Sequence, residues 1–219
     1  VWKMPKLGTF NLHASLLPNY RGAAPINWAI INGEEKTGVT TFYIDDKIDT
    51  GAMILSAETL INPTENAGEL HDRLMNLGCK TVIDTLNIIE KGNVQTTLQT
   101  ETIGIKDAPK LNKENCKIDW DKPTQEIFNQ IRGLSPYPTA WTTIQDNDQE
   151  WMVKIYEAEL IEENHSLNPG SIHTTKKELT IAGMDGLLKI TQLQFPGKKK
   201  MTTAELLNGM QFTSSAKVV

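Results

Sequence analysis

Asn11-Leu12-His13-Ala14-Ser15-Leu16-Leu17-Pro18-Asn19-Tyr20-Arg21-Gly22-Ala23-Ala24-Pro25 is the stretch on which the reading of this chain turns. Thr9 to Ala14 has the alternation of a short strand. Side chains at i and i+2 of a strand share a face, so Asn11 and His13 point the same way. The chain then turns at Pro18 and again at Arg21-Gly22, and a helix is expected from near Ala24. In open α/β sheets ligands sit where a strand hands over to its loop. A carboxamide donor and a titratable imidazole at that point suit acyl-group chemistry. Behind this stretch, Ile48-Asp49-Thr50-Gly51 reads by itself as a turn.

Moving outward, residues 38–45 read as a strand rich in β-branched and aromatic residues, with Met53 to Leu60 as its neighbour. Pro63-Thr64-Glu65-Asn66 signals a helix start. Behind it Leu70, Leu74, Leu77, Val82, Ile83, Leu86 and Ile89 recur at helical spacing, up to a stop at Lys91-Gly92. Residues 93–112 are polar and carry Pro109; they read as a strand-like exit and a linker. A short helix is expected over Pro123 to Gly133, with Ile127 and Ile131 inward. Pro136-Tyr137-Pro138 is a rigid turn. Short strands follow at Ala140–Gln145, Trp151–Ala158, Gly170–His173, Glu178–Ala182 and Leu187–Leu193. This spacing suggests a small barrel. A last short helix is expected near Thr203 to Asn208. The organisation expected is therefore residues 1–92, a linker over 93–112, and a barrel over 113–219.

The 219 residues are 39% apolar and 22% charged, ordinary for a globular protein. The net charge of −5 offers no global basic footprint for nucleic acid. From residue 109 onward 13 Lys/Arg face 14 Asp/Glu, and only Lys198-Lys199-Lys200 concentrates positive charge. Cys79 and Cys116 make no metal pattern and read as reduced thiols of a cytoplasmic protein. No apolar run approaches the ~20 residues needed to span a bilayer, so no membrane partner is expected. The start, Val1-Trp2-Lys3-Met4-Pro5-Lys6, has neither the apolar core of a signal peptide nor an initiator Met. A processed or partial chain is expected.

The string Asn-x-His-x-Ser-Leu-Leu-Pro-x-x-Arg-Gly-x-x-Pro over residues 11–25, followed by Asp49-Thr50-Gly51, resembles the signature of the folate-dependent formyltransferases. The second half resembles the C-terminal domain of the members that act on methionyl-tRNA. Three segments carry that likeness: Ala108 to Trp120, Ile131 to Trp141, and Phe195-Pro196-Gly197-Lys198-Lys199-Lys200-Met201. The resemblance spans essentially the whole chain. It implies an α/β fold, the C-terminal part of a doubly wound formyltransferase domain followed by a small OB-like β-barrel that contacts tRNA. It implies 10-formyltetrahydrofolate as formyl donor and co-substrate, methionyl-tRNA as acceptor, no metal, and a monomer when full length.

The same resemblance implies roles. Asn11, His13 and Asp49 are the expected catalytic residues: Asn11 as oxyanion donor, His13 as stabiliser or proton handler, Asp49 as the group that orients His13 or positions a water that shuttles a proton to the folate nitrogen. Ser15, Leu16, Leu17 and Pro18 are expected at the folate. Arg21 is a candidate anchor for an anionic group or a turn-stabilising contact, and Lys198, Lys199 and Lys200 are candidate tRNA contacts. In the family the Asn/His strand comes late, so the resemblance implies that roughly 90 residues are absent here, more than two βαβ units. A fragment with an unpaired strand edge and weak catalysis is expected. Two alternatives stay open: a sugar-nucleotide amine N-formyltransferase, and a tRNA-binding module without catalysis.

Overall fold

The computed structural model of the chain describes residues 2–100, 104–161, 163 and 165–219. It divides into two units, Val1–Ile30 with Glu34–Leu111, and Ile31–Gly33 with Asn112–Val219.

In the first unit the elements run β1 (Phe10–His13), β2 (Arg21–Gly22), α1 (Pro25–Ile31), β3 (Lys36–Tyr43), β4 (Met53–Leu60), α2 (Ala67–Glu90) and β5 (Asp107–Ala108). The three longer strands form one sheet in the order β1-β3-β4. Both pairings are antiparallel, and the only parallel ladder among the described residues of this unit joins β2 to β5. Of the parallel order that the C-terminal part of a doubly wound domain implies, the described strands of this unit keep only the short β2–β5 ladder. Residues 44–52 fold β3 back on β4 as a hairpin, whereas a parallel pair would need a longer crossover.

α2 begins at a capping box. The Asn66 side chain accepts from the Glu69 amide, and the Glu69 carboxylate accepts from the Asn66 amide. Its buried stripe is Ala67, Leu70, Leu74, Gly78, Thr81 and Thr85. Leu70 and Leu74 join Ile30, Val39 and Ile61 in the core. Ile83 and Leu86, expected inward, are exposed. A 3.6-residue period carried on from Leu74 reaches Gly78, Thr81 and Thr85, not the bulkier residues beside them. Gly78 leaves room for Leu12, and Thr85 bonds Thr41 at 2.8 Å, so this half of the stripe closes on small and polar contacts.

The segment expected as a linker is tied to the first unit. Thr97 bridges Met53 by two main-chain hydrogen bonds of 2.8 and 2.9 Å. Further on, Asp107 and Ala108 pair with Arg21 and Gly22. Residues 101–103 of this segment lie outside the described residues.

The second unit runs α3 (Thr124–Leu134), β6 (Ala140–Asp146), β7 (Gln149–Ile161), β8 (Ile172–Thr174), β9 (Leu179–Ala182), β10 (Leu187–Gln194), β11 (Met201–Thr202), α4 (Thr203–Leu207) and β12 (Lys217–Val218). The strand order is β12-β6-β7-β10-β9-β8, with β11 on β10. β12 also reaches the other edge: Val218 donates to Gly170 at 2.9 Å and Ser171 bridges Lys217. The sheet is therefore a nearly closed barrel, which removes most of its free edge. Ile127, Ile131 and Leu134 of α3 are buried, as are Ile144, Ile155 and Ile190 of the strands. The N-terminus of α3 has no cap from its own flank; Asp185 supplies it, accepting from the Thr124 amide and hydroxyl at 2.7 Å each.

Candidate active site

β1 delivers Asn11 and His13 to one face of the sheet end, opposite Phe42 and Thr40 of β3. Asn11 is exposed, and its carboxamide has no hydrogen-bond partner among the described residues. His13 is buried and stands edge-on to Phe42, with ring centroids 6.5 Å apart. Its Nε2 lies 2.7 Å from the Tyr20 carbonyl oxygen. A carbonyl only accepts, so Nε2 carries the hydrogen and donates it. The other ring nitrogen, Nδ1, faces Asp49 Oδ2 at 3.7 Å. In the neutral ring Nδ1 therefore presents a lone pair, and a proton gained there lands within ion-pair distance of a carboxylate.

Asp49 sits at φ 54°, in the left-handed region, at the turn after β3. Its Oδ2 accepts the Gly22 amide at 3.0 Å. Gly22 follows Arg21 and Tyr20, so one short segment grips both partners: Tyr20 through its carbonyl, Gly22 through its amide. That segment is itself held by the chain beyond α2. Tyr20 donates its amide to the Lys106 carbonyl at 2.5 Å, and Lys106 donates to the Asn19 side chain at 3.1 Å. The Tyr20 hydroxyl donates to Glu34 at 2.5 Å, and Glu34 also takes Lys106. Burial pushes the Glu34 carboxyl up, but the hydrogen bonds from Lys106 and Tyr20 outweigh it and hold it below its ordinary value.

The other residues named from sequence fall as follows. Ser15 is buried, with its hydroxyl donating to the Asn19 carbonyl at 2.6 Å and its carbonyl accepting from Thr40 at 2.7 Å. Leu17 is buried and donates its amide to Thr40 Oγ1 at 3.2 Å; Leu16 and Pro18 are half-buried beside it. The peptide between Leu17 and Pro18 is cis. Arg21 gives its Nε and Nη2 to Gln99 Oε1, at 2.9 and 2.7 Å. Lys198, Lys199 and Lys200 are exposed on the turn between β10 and β11 of the second unit, where Lys200 lies 5.2 Å from the Tyr156 ring centroid. The sequence does not mark Gln99, because a lone Gln in a polar run carries no periodic or motif signal. Among the described residues no group of His, Cys, Asp and Glu is arranged to hold a metal ion.

A free carboxamide, an imidazole with one nitrogen committed, and a carboxylate within ion-pair reach of the other offer a hydrogen-bond donor, a proton acceptor and a counter-charge, the groups that transfer at a carbonyl-type carbon calls for. Residues 1–86 match the formyl transferase family and residues 110–211 the formyl transferase C-terminal domain. Over 218 residues the chain is 66% identical to a methionyl-tRNA formyltransferase of Flavobacterium johnsoniae and 62% identical to that of Flavobacterium psychrophilum, covering all of this chain and 69% of each relative. A solved N-formyltransferase of Helicobacter canadensis, in complex with folinic acid and dTDP-3-aminofucose, superposes with a TM-score of 0.67 at 26% identity, covering 88% of this chain and 66% of that one. The chain belongs to the formyl transferase family, and within it to the methionyl-tRNA formyltransferases.

Proposed function

We propose that this site transfers a formyl group from 10-formyltetrahydrofolate to the α-amine of methionyl-tRNA, the step that prepares the initiator for translation. The observation that carries the reading is the pair of buried His13 and half-buried Asp49, 3.7 Å apart, with His13 two residues along the strand from the unpartnered Asn11 carboxamide. The amine attacks the formyl carbon, a C–N bond forms, and the carbonyl oxygen becomes an oxyanion. Asn11 donates its amide N–H to that oxygen, where charge develops. His13 Nδ1 takes the proton released by the amine, and the Asp49 carboxylate stabilises the imidazolium. Collapse of the adduct breaks the bond to the folate nitrogen, which takes the proton and leaves as tetrahydrofolate.

Ser15 to Pro18 line the folate side. The Ser15 hydroxyl is spent inside the turn and the Leu17 amide on Thr40 of β3, so Leu16 and Pro18 supply apolar contact. Arg21, with Nη1 uncommitted among the described residues, suits an anionic group of the donor or acceptor. In the second unit, which we read as an OB-like barrel over 113–219, Lys198, Lys199 and Lys200 suit the tRNA backbone. Tyr156 below Lys200 offers a face on which a base can stack. Residues 93–112 join the two. No helix among the described residues is long and apolar enough to cross a membrane. We assign the protein to the cytoplasm, as a monomer when full length.

Formylation assays on the product of the complete coding sequence test the reading. Methionyl-tRNA should be formylated and a dTDP-amino sugar should not. Turnover of the sugar alone would move the assignment to the sugar-nucleotide formyltransferases. Binding of tRNA without turnover of either acceptor would leave a tRNA-binding module.

A further inference from the structure

We infer that Gln99 is a positioning residue for the His13–Asp49 pair, acting through the turn that carries Asp49; the inference rests on the reaction proposed above. Gln99 is half-buried in a run of exposed residues, and its amide is fully used. Its Oε1 accepts two hydrogen bonds from Arg21, at 2.9 and 2.7 Å. Its Nε2 donates to the main-chain carbonyls of Asp49 and Gly51, at 2.9 and 2.8 Å. A guanidinium only donates and a carbonyl only accepts, so the amide can sit one way round.

The four bonds add a second tie between two halves of the site, beside the Gly22 amide on the Asp49 carboxylate. Arg21 lies between Tyr20, whose carbonyl holds His13, and Gly22, whose amide holds Asp49. Asp49 and Gly51 lie on the opposing turn, where Asp49 stands at φ 54°. Gln99 clasps that turn to the Arg21 segment, so together with the Gly22 amide it sets how far the Asp49 carboxylate stands from His13. The clasp is anchored on one side by Thr97 on Met53 and on the other by Asp107 and Ala108 on β2. No other side-chain type does this at the same reach. Glutamate keeps the bonds from Arg21 but turns carboxylate oxygens on two carbonyls. Methionine keeps the length and loses all four bonds. Asparagine is a methylene too short to span both.

The test compares the wild type with Gln99→Glu, Gln99→Met and the exposed neighbour Leu98→Ser, all made in the complete coding sequence. Three readouts are taken: kcat and KM for methionyl-tRNA and for the formyl donor, the thermal midpoint, and the ¹⁵N resonances of the His13 ring. Misplacing a catalytic pair by about 1 Å costs up to about 10²-fold. Both Gln99 variants should lose roughly 10- to 100-fold in kcat, with KM for either substrate within about 3-fold, and their His13 resonances should move. Leu98→Ser should match the wild type in all three readouts. If Gln99→Met does not fold, Gln99→Glu carries the test, since it retains the Arg21 contact. A Gln99→Glu protein with wild-type kcat, a loss confined to KM, or unmoved His13 resonances would overturn the inference. A wild type that does not formylate methionyl-tRNA would overturn the reaction instead, and the His13 resonances would still decide the role of Gln99.

Discussion

Replacing Gly22 with alanine should damage both the fold of the first unit and the site, by an amount the structure allows one to work out. Gly22 stands at φ 122°, a conformation that L side chains rarely adopt. A Cβ built there meets the Ala108 carbonyl oxygen at 2.5 Å and its carbon at 3.1 Å. That carbonyl cannot simply retreat, because it accepts the amides of Ala23 and Ala24 at 2.8 and 3.2 Å and belongs to a fully buried residue. Backbone strain of this kind costs about 1–3 kcal/mol. Displacing Gly22 also weakens the hydrogen bond from its amide to the Asp49 carboxylate, worth about 1.5–3 kcal/mol as a charge-assisted bond. Together these give up to roughly 6 kcal/mol, and at least roughly 2.5 kcal/mol. Gly92→Ala is the internal control, because Gly92 is also left-handed, at φ 70°, but has nothing within 4 Å of its Cβ position. Only the handedness term applies to it, about 1–2 kcal/mol. Urea unfolding of the two variants measures the difference, and formylation kinetics should show a kcat loss for Gly22→Ala alone. A Gly22→Ala protein no less stable than Gly92→Ala would refute the account of how β2 and β5 hold the site.

Asn11→Ala should lower kcat by about 10²–10³-fold with tRNA affinity unchanged, and a variant keeping half its activity would remove Asn11 from the chemistry. Leu70→Ala, at a fully buried position of α2, should cost about 2–5 kcal/mol in denaturant unfolding, because the surrounding core cannot close on the space left. Asp185→Ala removes the only side-chain cap of α3 and should destabilise the second unit by about 1 kcal/mol, a figure held down by solvent exposure of the carboxylate. The Thr124 hydroxyl, and then its amide, hold the Asp185 carboxyl below its ordinary value. Its contribution is thus present above the unfolded value of about 3.9 and is lost as pH falls through the lower folded one. The difference in unfolding free energy between wild type and Asp185→Ala should shrink in that acid window, and a constant difference would refute the assignment. Lys200→Glu should weaken methionyl-tRNA binding at low salt and flatten the salt dependence by about one phosphate contact, and unchanged titrations would take Lys200 out of the interface.

The sequence by itself settled the elements whose signals are local. The strand ending at His13, the strands at 36–43 and 53–60, the capped helix from 67 and the barrel strands of the second half follow from side-chain period and turn residues. The pattern Asn11-x-His13 also carried the site, since alternation along one strand places both side chains without knowledge of anything else. Partners distant along the chain were decided only in three dimensions. Which nitrogen of His13 is free depends on a carbonyl at Tyr20, and main-chain groups have no sequence letter. The direction of sheet pairing depends on how residues 44–52 return, which composition does not encode. The face that α2 buries departs from the expected one in its second half because Thr81 and Thr85, polar by type, reach the core where Ile83 and Leu86 do not. Gln99 is the sharpest case. Its neighbours are exposed and, Leu98 apart, polar, so its surroundings read as a linker, yet its amide matches two carbonyls from one turn and a guanidinium from another. Hydrogen-bond complementarity between segments some fifty and seventy-eight positions apart is a property of the tertiary structure, because it exists only once the chain has brought the groups within reach of one another.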